Sequence, residues 1–260
     1  MNRNNRFDRQ RRDVKDSANG TSENFIYGRN PVLELLRADK RTVNKIMLAQ
    51  TARGAAITEI IEIAKQKGIA VHNVPPERLD RFGENSQGIA AEVSAMEYVE
   101  LEDLIALSKK EAKPLLVILD GIEDPHNLGA IVRNCVAFGA DGVIIPKWRA
   151  AGVNETVAKA SAGAIEHIPV CRVTNTNQAI ELLKKRSFWI AGAENGGQNL
   201  EEAKLPFPLA VIIGSEGFGL HSLTKKNCDF LISIPQKNTI SSLNASCASA
   251  VILYEISKKR

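Results

Sequence analysis

The chain has 260 residues, of which 44% are hydrophobic and 25% are charged, a composition typical of folded globular proteins. Its formal net charge of +4 and calculated isoelectric point of about 8.8 permit a nucleic-acid partner without requiring one. No apolar run approaches the ~18 residues of a membrane span, and the N-terminus lacks the apolar centre of a signal peptide, so we expect a cytoplasmic protein that is not anchored in a membrane.

The four cysteines give no indication of a metal site. Cys135, Cys171, Cys228 and Cys247 form no C-x-x-C pair, and no set of histidines accompanies them. Each cysteine lies within or beside an apolar run. We therefore expect buried, reduced thiols and no bound metal.

The first segment, residues 1–24, is polar and rich in arginine and asparagine. Such a segment cannot bury enough apolar surface to fold, so it predicts a disordered basic arm. Two interpretations stay open: the arm is inert, or its arginines contact RNA phosphates. The interspersed aspartates weaken the second interpretation.

Residues 25–95 predict a small α/β domain. The segment 30–38 is expected to be a helix with Asn30 as its N-cap, and the segment 55–68 is an amphipathic helical pattern. The other predicted elements are strands at 44–49, 69–74 and 87–94 and a short helix at 75–82. The charged segment 96–113 is expected to link this domain to the next one through a short helix.

Residues 114–260 repeat the order strand, loop, helix, which predicts a second α/β domain. Its expected strands are uninterrupted apolar runs at 115–120, 142–146, 168–173, 188–194, 209–214 and 230–235. Continuous apolar runs are typical of parallel strands that are covered on both faces. Helices are expected at 128–138, 155–164, 176–186, 221–227 and about 242–258. The pattern therefore predicts a doubly wound sheet, in which ligands bind beyond the carboxyl ends of the strands.

Three of these strand ends are followed by polar and glycine-rich segments, at 121–135, 215–220 and 236–250. The glycines of "GSEGFG" do not follow the dinucleotide-binding pattern G-x-G-x-x-G, and the chain has no phosphate-binding G-x-x-x-x-G-K-[ST] loop. Ser241 or Ser242 is expected to cap the last helix, which would place Asn244 in its first turn. The three segments should meet at one edge of the sheet.

Together these segments resemble the three motifs of the SpoU-type (TrmH-type) branch of the SPOUT RNA ribose 2′-O-methyltransferases. Motif one is "DPHNLGAIVRNCVAFGADGVII", in which Asn127 precedes Arg133 by six residues. Motif two is "LAVIIGSEGFGL", with Glu216, and motif three is "ISIPQKNTISSLNASCASAVILYE", with Ser242 and Asn244. The segments "FIYGRNPVLELLR" and "SQGIAAEV" are similar to the start and end of that family's L30e-like N-terminal domain. The resemblance thus extends from about residue 25 to the C-terminus.

The resemblance implies a fold and a cofactor that the residue pattern alone does not predict. It implies an L30e-like RNA-binding domain followed by a SPOUT domain with a C-terminal trefoil knot, S-adenosylmethionine bound in a bent shape within the knot, and a homodimer. Such a reaction needs no metal, because the sulfonium already activates the methyl group. The implied cofactor contacts are Gly192, Ala193, Glu194, Gly214, Glu216, Gly217, Ile234, Leu243, Asn244 and Ser246.

The resemblance is strongest to enzymes that methylate a guanosine ribose in 23S ribosomal RNA, and it implies a set of site residues: Asn127, Arg133, Glu216, Ser242 and Asn244. Arg133 would face the reacting ribose, with Gly129 and Ala137 leaving room for RNA. An arginine at this position has been regarded as a general base, but a guanidinium holds its proton too strongly to be a good base near neutral pH. We favour a role in clamping a phosphate and stabilising negative charge on the 2′-oxygen, while the other four residues orient the groups.

Alternative functions and departures from the family pattern stay open. The alternatives are a transfer-RNA ribose methyltransferase, a non-catalytic RNA-binding protein of ribosome assembly and, remotely, a nicotinamide-linked oxidoreductase. Gln236 and Asn238 stand where the family commonly has Met and Gly, and Ser86 stands where it often has His. The first two concern the motif-three loop, whereas Ser86 concerns RNA contacts of the small domain.

Overall fold

A computed structural model describes residues 24–83, 86–237 and 242–260 of the chain. Apart from Asn24, the predicted basic arm lies outside these residues, as do Asn238 and Ser241. The described residues form two α/β domains, each built on its own sheet.

The first domain contains a four-stranded sheet in the order β1-β4-β2-β3. Strands β2 and β3 are parallel, and the other neighbours are antiparallel. Its elements are β1 (Asn24–Tyr27), α1 (Arg29–Ala38), β2 (Val43–Ala49), α2 (Ala55–Gln66), β3 (Ala70–Val74), a 3₁₀ helix (Pro76–Phe82) and β4 (Ile89–Val93). The predicted strands and helices of this domain are present, and β1 is an additional strand.

Helix α1 begins earlier than the sequence pattern indicates. Gly28 is its N-cap, with φ of 95°, and Asn30 lies inside the first turn, so the prediction of Asn30 as the cap is wrong. The Gly28 amide donates to the carbonyl of Ile89 in β4, which fixes the chain in a conformation that favours glycine.

The segment 96–113 contains helix α3 (Leu101–Ser108), and this helix packs against the second domain. Leu104 is fully buried, and its Cδ1 lies 2.4 Å from where a β-carbon on Gly142 would stand. Val99 also forms a bridge with Cys171. The segment therefore joins the two domains and contributes to the core of the second.

The second domain contains six strands in the order β10-β8-β9-β5-β6-β7, and every neighbouring pair is parallel. The parallel sheet predicted from the apolar runs is therefore confirmed. Its elements are β5 (Leu115–Asp120), α4 (Pro125–Ala137), β6 (Gly142–Pro146), α5 (Glu155–Ala160), β7 (Val170–Val173), α6 (Thr176–Lys185), β8 (Trp189–Asn199), β9 (Leu209–Gly214), α7 (Ser222–Lys226), β10 (Phe230–Ser233) and α8 (Ala245–Lys259).

Two predicted helices differ from the observed ones. The helix expected at 155–164 ends at Ala160 and is followed by a separate 3₁₀ turn at Ala164–Glu166, because Gly163 has φ of 90°. The last helix begins at Ala245, and its N-cap is Asn244 rather than Ser241 or Ser242. Asn244 occupies the N-cap position because its side-chain oxygen accepts hydrogen bonds from the amides of Ser246 and Cys247.

The two domains meet through a buried ion pair and a glycine contact. Arg41 Nη1 lies 3.0 Å from Glu166 Oε1, and the two side chains are only 10% and 2% exposed. A β-carbon on Gly163 would lie 2.6 Å from the β-carbon of Glu34 in α1. Because one apolar cluster includes buried residues of both sheets, the domains share a continuous core.

The structure bears on three further expectations. None of the described helices is long and apolar enough to cross a bilayer, and no group of three or more potential metal ligands occurs among the described residues. All four cysteines are free, but only Cys135 and Cys171 are buried, so the expectation of burial is wrong for the exposed Cys247 and the half-buried Cys228. Part of the path of the expected knot, residues 238–241, lies outside the described residues, and the knot stays a prediction.

Candidate active site

The candidate site lies at the carboxyl edge of the six-stranded sheet. Asp120 ends β5 and pairs in register with Gly214, which ends β9, so the segments after these two strands begin at the same height. The start of α8 reaches the same edge and joins them. These are the segments that carry the three motifs.

A hydrogen-bond network centred on Asn244 connects the three segments. Its Nδ2 donates to Asn127 Oδ1, 3.1 Å away, and to Glu216 Oε2, 2.9 Å away. Its Oδ1 accepts from the amide and hydroxyl of Ser246, at 2.9 and 2.5 Å. One side chain therefore caps α8 and also fixes the positions of Asn127 and Glu216.

A second asparagine strengthens the contact between α4 and α8. Asn134 Nδ2 donates to the carbonyl of Ser246 at 2.9 Å and to Ser249 Oγ at 2.8 Å. Asn134 follows Asn127 by two helical turns and so lies on the same face of α4. The two asparagines together hold this face against the start of α8.

Glycines shape the turn that carries Glu216. Ser215 and Gly219 exchange backbone hydrogen bonds of 3.2 and 3.0 Å, which close the turn. A β-carbon on Gly214 would stand 2.3 Å from the Gly219 carbonyl group, so glycine is needed there because the turn folds back on it. Gly217 has φ of 85° with no atom near its missing side chain, so it is needed for its conformation instead.

A cavity of about 310 Å³ opens beside this turn. Its walls come from the ends of β8, β9 and β10 and from the first two turns of α8. The small residues Ala245 and Ala248 of α8 let the helix form one wall without filling the space. The lining residues are Ala193, Glu194, Asn195, Ile213, Gly214, Ser215, Glu216, Gly217, Phe218, Gly219, Ile232, Ser233, Ile234, Gln236, Ser242, Leu243, Ala245, Ala248 and Ile252.

Seven of the ten implied cofactor residues line this cavity, namely Ala193, Glu194, Gly214, Glu216, Gly217, Ile234 and Leu243. Asn244 and Ser246 lie just outside it, in the network described above. Gly192 is buried and does not line the cavity: a β-carbon there would stand 2.7 Å from both Cys228 Sγ and Leu220 Cδ1. Glycine at 192 is therefore required by core packing.

Arg133 stands apart from the Asn244 network. It follows Asn127 by six residues, which places it about 120° around α4 from Asn127. Its side chain is exposed, and it has no hydrogen bond or ion pair with any described residue. Within one chain, Asn127, Glu216 and Asn244 are in contact, Ser242 lines the cavity from an exposed position, and Arg133 faces outward.

The role expected for Gly129 is wrong. Gly129 is buried against α5, where a β-carbon would lie 2.5 Å from Ala160 Cβ and 2.9 Å from the carbonyl oxygen of Val157. The glycine therefore allows α4 and α5 to pack closely and leaves no room for RNA. Ala137, in contrast, is exposed on the same side of α4 as Arg133.

Two contacts at the site edge were not predicted from the sequence. Glu194, expected only as a cofactor contact, accepts from the Leu220 amide at 3.3 Å and pairs with Lys225 at 3.2 Å, and so holds the glycine turn. Asp120 is buried and accepts from the His221 amide and the His221 ring, both at 2.9 Å. The aspartate at the end of a buried apolar strand was a detectable indication of this contact. Gln236 also lines the cavity, so this departure from the family pattern lies at the site.

The thiols nearest the sheet are not suited to nucleophilic chemistry. Burial raises the pKa of Cys171 and of Cys228 to about 11, and it raises the pKa of Cys135 further still. Since the thiolate is the reactive form, these side chains are inert near neutral pH. The polar groups of the site are amides, hydroxyls and the carboxylates of Glu194 and Glu216, which can bind and orient a substrate.

Comparisons with known proteins agree with this architecture. Residues 114–254 match the model of the SpoU rRNA methylase family, and residues 25–99 match a domain described as RNA 2′-O ribose methyltransferase substrate binding. The chain is 45% identical over 240 residues to YacO of Bacillus subtilis, which is named as a TrmH family tRNA/rRNA methyltransferase. That alignment covers 91% of this chain and 96% of YacO.

Solved structures show the same fold at lower sequence identity. The SpoU methyltransferase AviRb of Streptomyces viridochromogenes, crystallised with its cofactor AdoMet, matches with a TM-score of 0.77 and 23% identity over 98% of this chain and 93% of its own. An AdoMet-bound rRNA methyltransferase of Sinorhizobium meliloti matches with a TM-score of 0.75 and 20% identity, covering 96% and 90% of the two chains.

Proposed function

This chain belongs to the SpoU rRNA methylase family and is an RNA methyltransferase, and we propose that it transfers a methyl group from S-adenosylmethionine to a ribose 2′-hydroxyl of RNA. The observation that carries the proposal is the Asn244 network beside the cavity. It joins motifs one, two and three through hydrogen bonds to Asn127 and Glu216. A purely RNA-binding surface would not need these three motifs to converge beside a cavity.

The cavity suits the proposed cofactor. Its volume lies at the lower end of the roughly 300–1,000 Å³ of small-molecule sites. Ile213, Ile234 and Leu243 offer apolar contact to an adenine ring, and the carboxylate of Glu216 lies where a cationic ligand would be stabilised. When bound, S-adenosylmethionine supplies a methyl group that its sulfonium centre makes electrophilic. The residues proposed to hold it are Ala193, Glu194, Gly214, Glu216, Gly217, Ile234 and Leu243.

The polar residues of the network are proposed to position the ribose. Asn244 holds Asn127 and Glu216 in place. Their remaining hydrogen-bonding atoms can therefore contact the ribose without a further loss of side-chain freedom. Ser242 is exposed at the cavity and is free to contact the nucleotide. None of these groups needs to change protonation state in this role.

Arg133 is proposed to bind an RNA phosphate and to stabilise the negative charge that develops on the 2′-oxygen. Its lack of a partner within the described chain leaves its planar guanidinium available for a bidentate contact. A guanidinium is a poor base near neutral pH, so the proton of the hydroxyl is proposed to pass to a phosphate oxygen or to water.

We propose that the protein is a homodimer and that α8 and the exposed side of α4 form its interface. Cys247, Val251 and Tyr254 recur at intervals of four and three residues along α8 and are all exposed. Tyr254 also contacts Phe138 at the end of α4, which continues the surface toward Arg133. Pairing through this surface would bring Arg133 of one copy toward the site of the other. This arrangement accounts for an arginine that faces outward within a single chain.

The proposed substrate is a guanosine in 23S ribosomal RNA, modified in the cytoplasm. The match of residues 114–254 to the SpoU rRNA methylase family supports ribosomal RNA as the substrate class. The match of residues 25–99 to a substrate-binding domain supports a role of the first domain in selecting the RNA.

Mass-spectrometric mapping of ribose methylation tests the proposal. Ribosomal and transfer RNA are compared from cells with the gene, without it and complemented with the Arg133→Ala variant. One 2′-O-methylguanosine of 23S RNA is expected to disappear without the gene and to return only with the wild-type protein. An unchanged pattern, together with no binding of S-adenosylmethionine in calorimetry, would refute the function.

A further inference from the structure

Two large aromatic side chains are mostly exposed to solvent at the same sheet edge as the site. Phe218 is 93% exposed and Trp148 is 68% exposed. Phe218 lies at the tip of the turn after β9, and Trp148 lies two residues beyond the end of β6. Folding gains nothing from leaving large apolar rings in this state, so their position needs another reason.

The two aromatics lie on either side of the segment that leads to Asn127. Strand β5, which carries that segment, pairs with β9 on one side and with β6 on the other. Because neighbouring strands are about 4.8 Å apart, the ends of β9 and β6 are separated by roughly 10 Å. An extended polynucleotide that crosses the end of β5 therefore passes between the two loops that carry the rings.

The loop that carries Trp148 is held rigidly. The Ala151 amide donates to the Ile122 carbonyl at 2.8 Å, and the Val153 amide donates to the Tyr98 hydroxyl at 3.0 Å. Arg172 Nη2 donates to the Lys147 carbonyl at 3.2 Å. Since Ile122 precedes α4 by only a few residues, these bonds fix Trp148 relative to motif one.

The turn that carries Phe218 is equally constrained. The ring lies between Gly217 and Gly219, whose φ values of 85° and 64° turn the chain outward at this point. The paired hydrogen bonds between Ser215 and Gly219 close the turn. Both aromatic rings are thus held in place before a ligand binds, which lowers the entropy cost of binding.

The surroundings of Trp148 carry positive charge. The Lys147 ammonium lies 5.2 Å from the centre of the indole ring, where it covers only part of the ring. Arg149 is exposed and has no ion pair within the described part of the chain. Arg172 stacks over Tyr98 with its charge next to the same loop. Cations beside an open aromatic face match a nucleic acid, which offers phosphates and nucleobases at this spacing.

We propose that Trp148 and Phe218 are stacking platforms for unpaired nucleotides on either side of the methylated one, so that the substrate is a single-stranded segment of RNA. This proposal rests on the function proposed above and specifies its substrate class. The rings contact nucleobases, whose faces are available only when the bases are unpaired. Lys147 and Arg149 contact the backbone next to the base on Trp148.

The chain contains only two tryptophans, Trp148 and Trp189, which makes a direct test possible. Trp189 is 47% exposed but lies at the start of β8, at the opposite edge of the sheet. The Trp189→Phe variant of the full chain therefore reports on Trp148 alone, and the Trp148→Phe variant reports on Trp189 alone. Each variant is titrated with a single-stranded oligoadenylate of about 12 nucleotides and with a duplex of the same length. A single strand of this length is long enough to occupy one binding site.

Loss of fluorescence is expected only when Trp148 is the reporter and the RNA is single-stranded. Fluorescence anisotropy measures the RNA affinity in the same titrations. The Trp148→Ala variant is expected to bind the single strand about 5- to 150-fold more weakly, which corresponds to the loss of one stacked base. The Trp148→Phe variant is expected to retain most of the affinity. Trp189→Ala serves as the matched control and should change the affinity less than about twofold. For Phe218, a Phe218→Trp substitution in a chain with both tryptophans replaced by Phe supplies the same reporter.

Several outcomes would overturn the proposal. Equal quenching of both tryptophans, equal binding of single strand and duplex, or unchanged affinity of Trp148→Ala would each contradict stacking. A change of oligomeric state in Trp148→Ala without a change in RNA affinity would identify the surface as a protein interface instead. If the wild-type protein methylates RNA while these results are negative, only the stacking proposal fails; if it neither binds the cofactor nor methylates RNA, the proposed function fails.

Discussion

The side-chain amide of Asn244 donates to Asn127 Oδ1 over 3.1 Å and thereby connects two residues that are 117 positions apart in the chain. The same amide group donates to Glu216, so a single asparagine holds one residue from each of the other two motifs. This relationship explains how three segments at separate strand ends become one site. Substitutions of Asn244 can therefore distinguish its effect on stability from its effect on activity.

Asn244→Ala and Asn244→Asp are expected to differ in stability but not in activity. Alanine removes the cap of α8, which should lower the free energy of unfolding by about 1–2 kcal/mol. Aspartate keeps the accepting oxygen for the amides of Ser246 and Cys247 but cannot donate to Glu216, so the cap is retained and the loss of stability comes from repulsion between the two carboxylates. Both variants should lose most methyl transfer. Thermal unfolding and methylation of RNA measured on the same preparations check this, and an active Asn244→Asp protein would contradict the positioning role.

Arg133→Ala is expected to retain the fold and cofactor binding while losing most methyl transfer. The side chain is exposed and has no partner in the described chain, so its removal leaves nothing unpaired. Arg133→Lys should also fail, because an ammonium cannot reproduce the planar fork of a guanidinium. Lys185→Ala, an exposed cation at the opposite edge of the sheet, is the control for net charge. Activity of Arg133→Ala within a few-fold of wild type would exclude Arg133 from the site.

Gly129→Ala is expected to destabilise the protein by about 1–3 kcal/mol, because the new methyl group overlaps Ala160. The second substitution Ala160→Gly removes the overlapping atom and should restore part of that loss. Urea unfolding of the two single variants and the double variant gives the coupling free energy between the positions. Additive effects would show that α4 and α5 do not meet at these residues.

The ion pair between the domains predicts a pH-dependent stability. Removing the cation in Arg41→Met leaves Glu166 buried without its partner, which should cost about 3–5 kcal/mol at pH 7. Burial already raises the pKa of Glu166 above its usual value, and Arg41 opposes this rise. A folded-state pKa above the unfolded one favours the protonated form in the fold, so the deficit of the variant should shrink as the pH falls from 7 toward 5.

The control for that experiment is Arg37→Met, which removes an exposed pair with Glu34 and Glu59 and should leave stability almost unchanged. Unfolding is followed by urea titration at each pH. A deficit of Arg41→Met that is constant between pH 7 and pH 5 would show that Glu166 does not take up a proton in the variant.

Val251→Asp is expected to convert the proposed dimer into a monomer, because it places a charge in the centre of the α8 surface. Ile61→Asp is the matched control: Ile61 is 41% exposed and Val251 is 39% exposed, and both lie on helices. Size-exclusion chromatography with light scattering measures the mass of each variant. A wild-type monomer, or equal effects of the two substitutions, would contradict this interface.

Much of the fold could be predicted from the chain itself. Apolar runs without alternation predict parallel strands, and the sheet of the second domain contains six of them. The errors occur at element ends. Asn30 and Ser242 are good capping residues, but Gly28 and Asn244 take the cap positions because contacts with Ile89 and with Asn127 decide where each helix starts.

The residue pattern of the chain was sufficient to predict the order of strands and helices and the three polar segments, and the family resemblance supplied the candidate residues. These depend on local periodicity and on residue types, which a linear chain displays. The contacts of these residues could be read only from the tertiary structure. Gly192 and Gly129 are required by packing, and Glu194 holds the glycine turn. Arg133 faces away from Asn127. The reason is physical, since close packing and hydrogen bonding are set by neighbours that are distant in the sequence and are brought within a few ångströms only when the sheet forms.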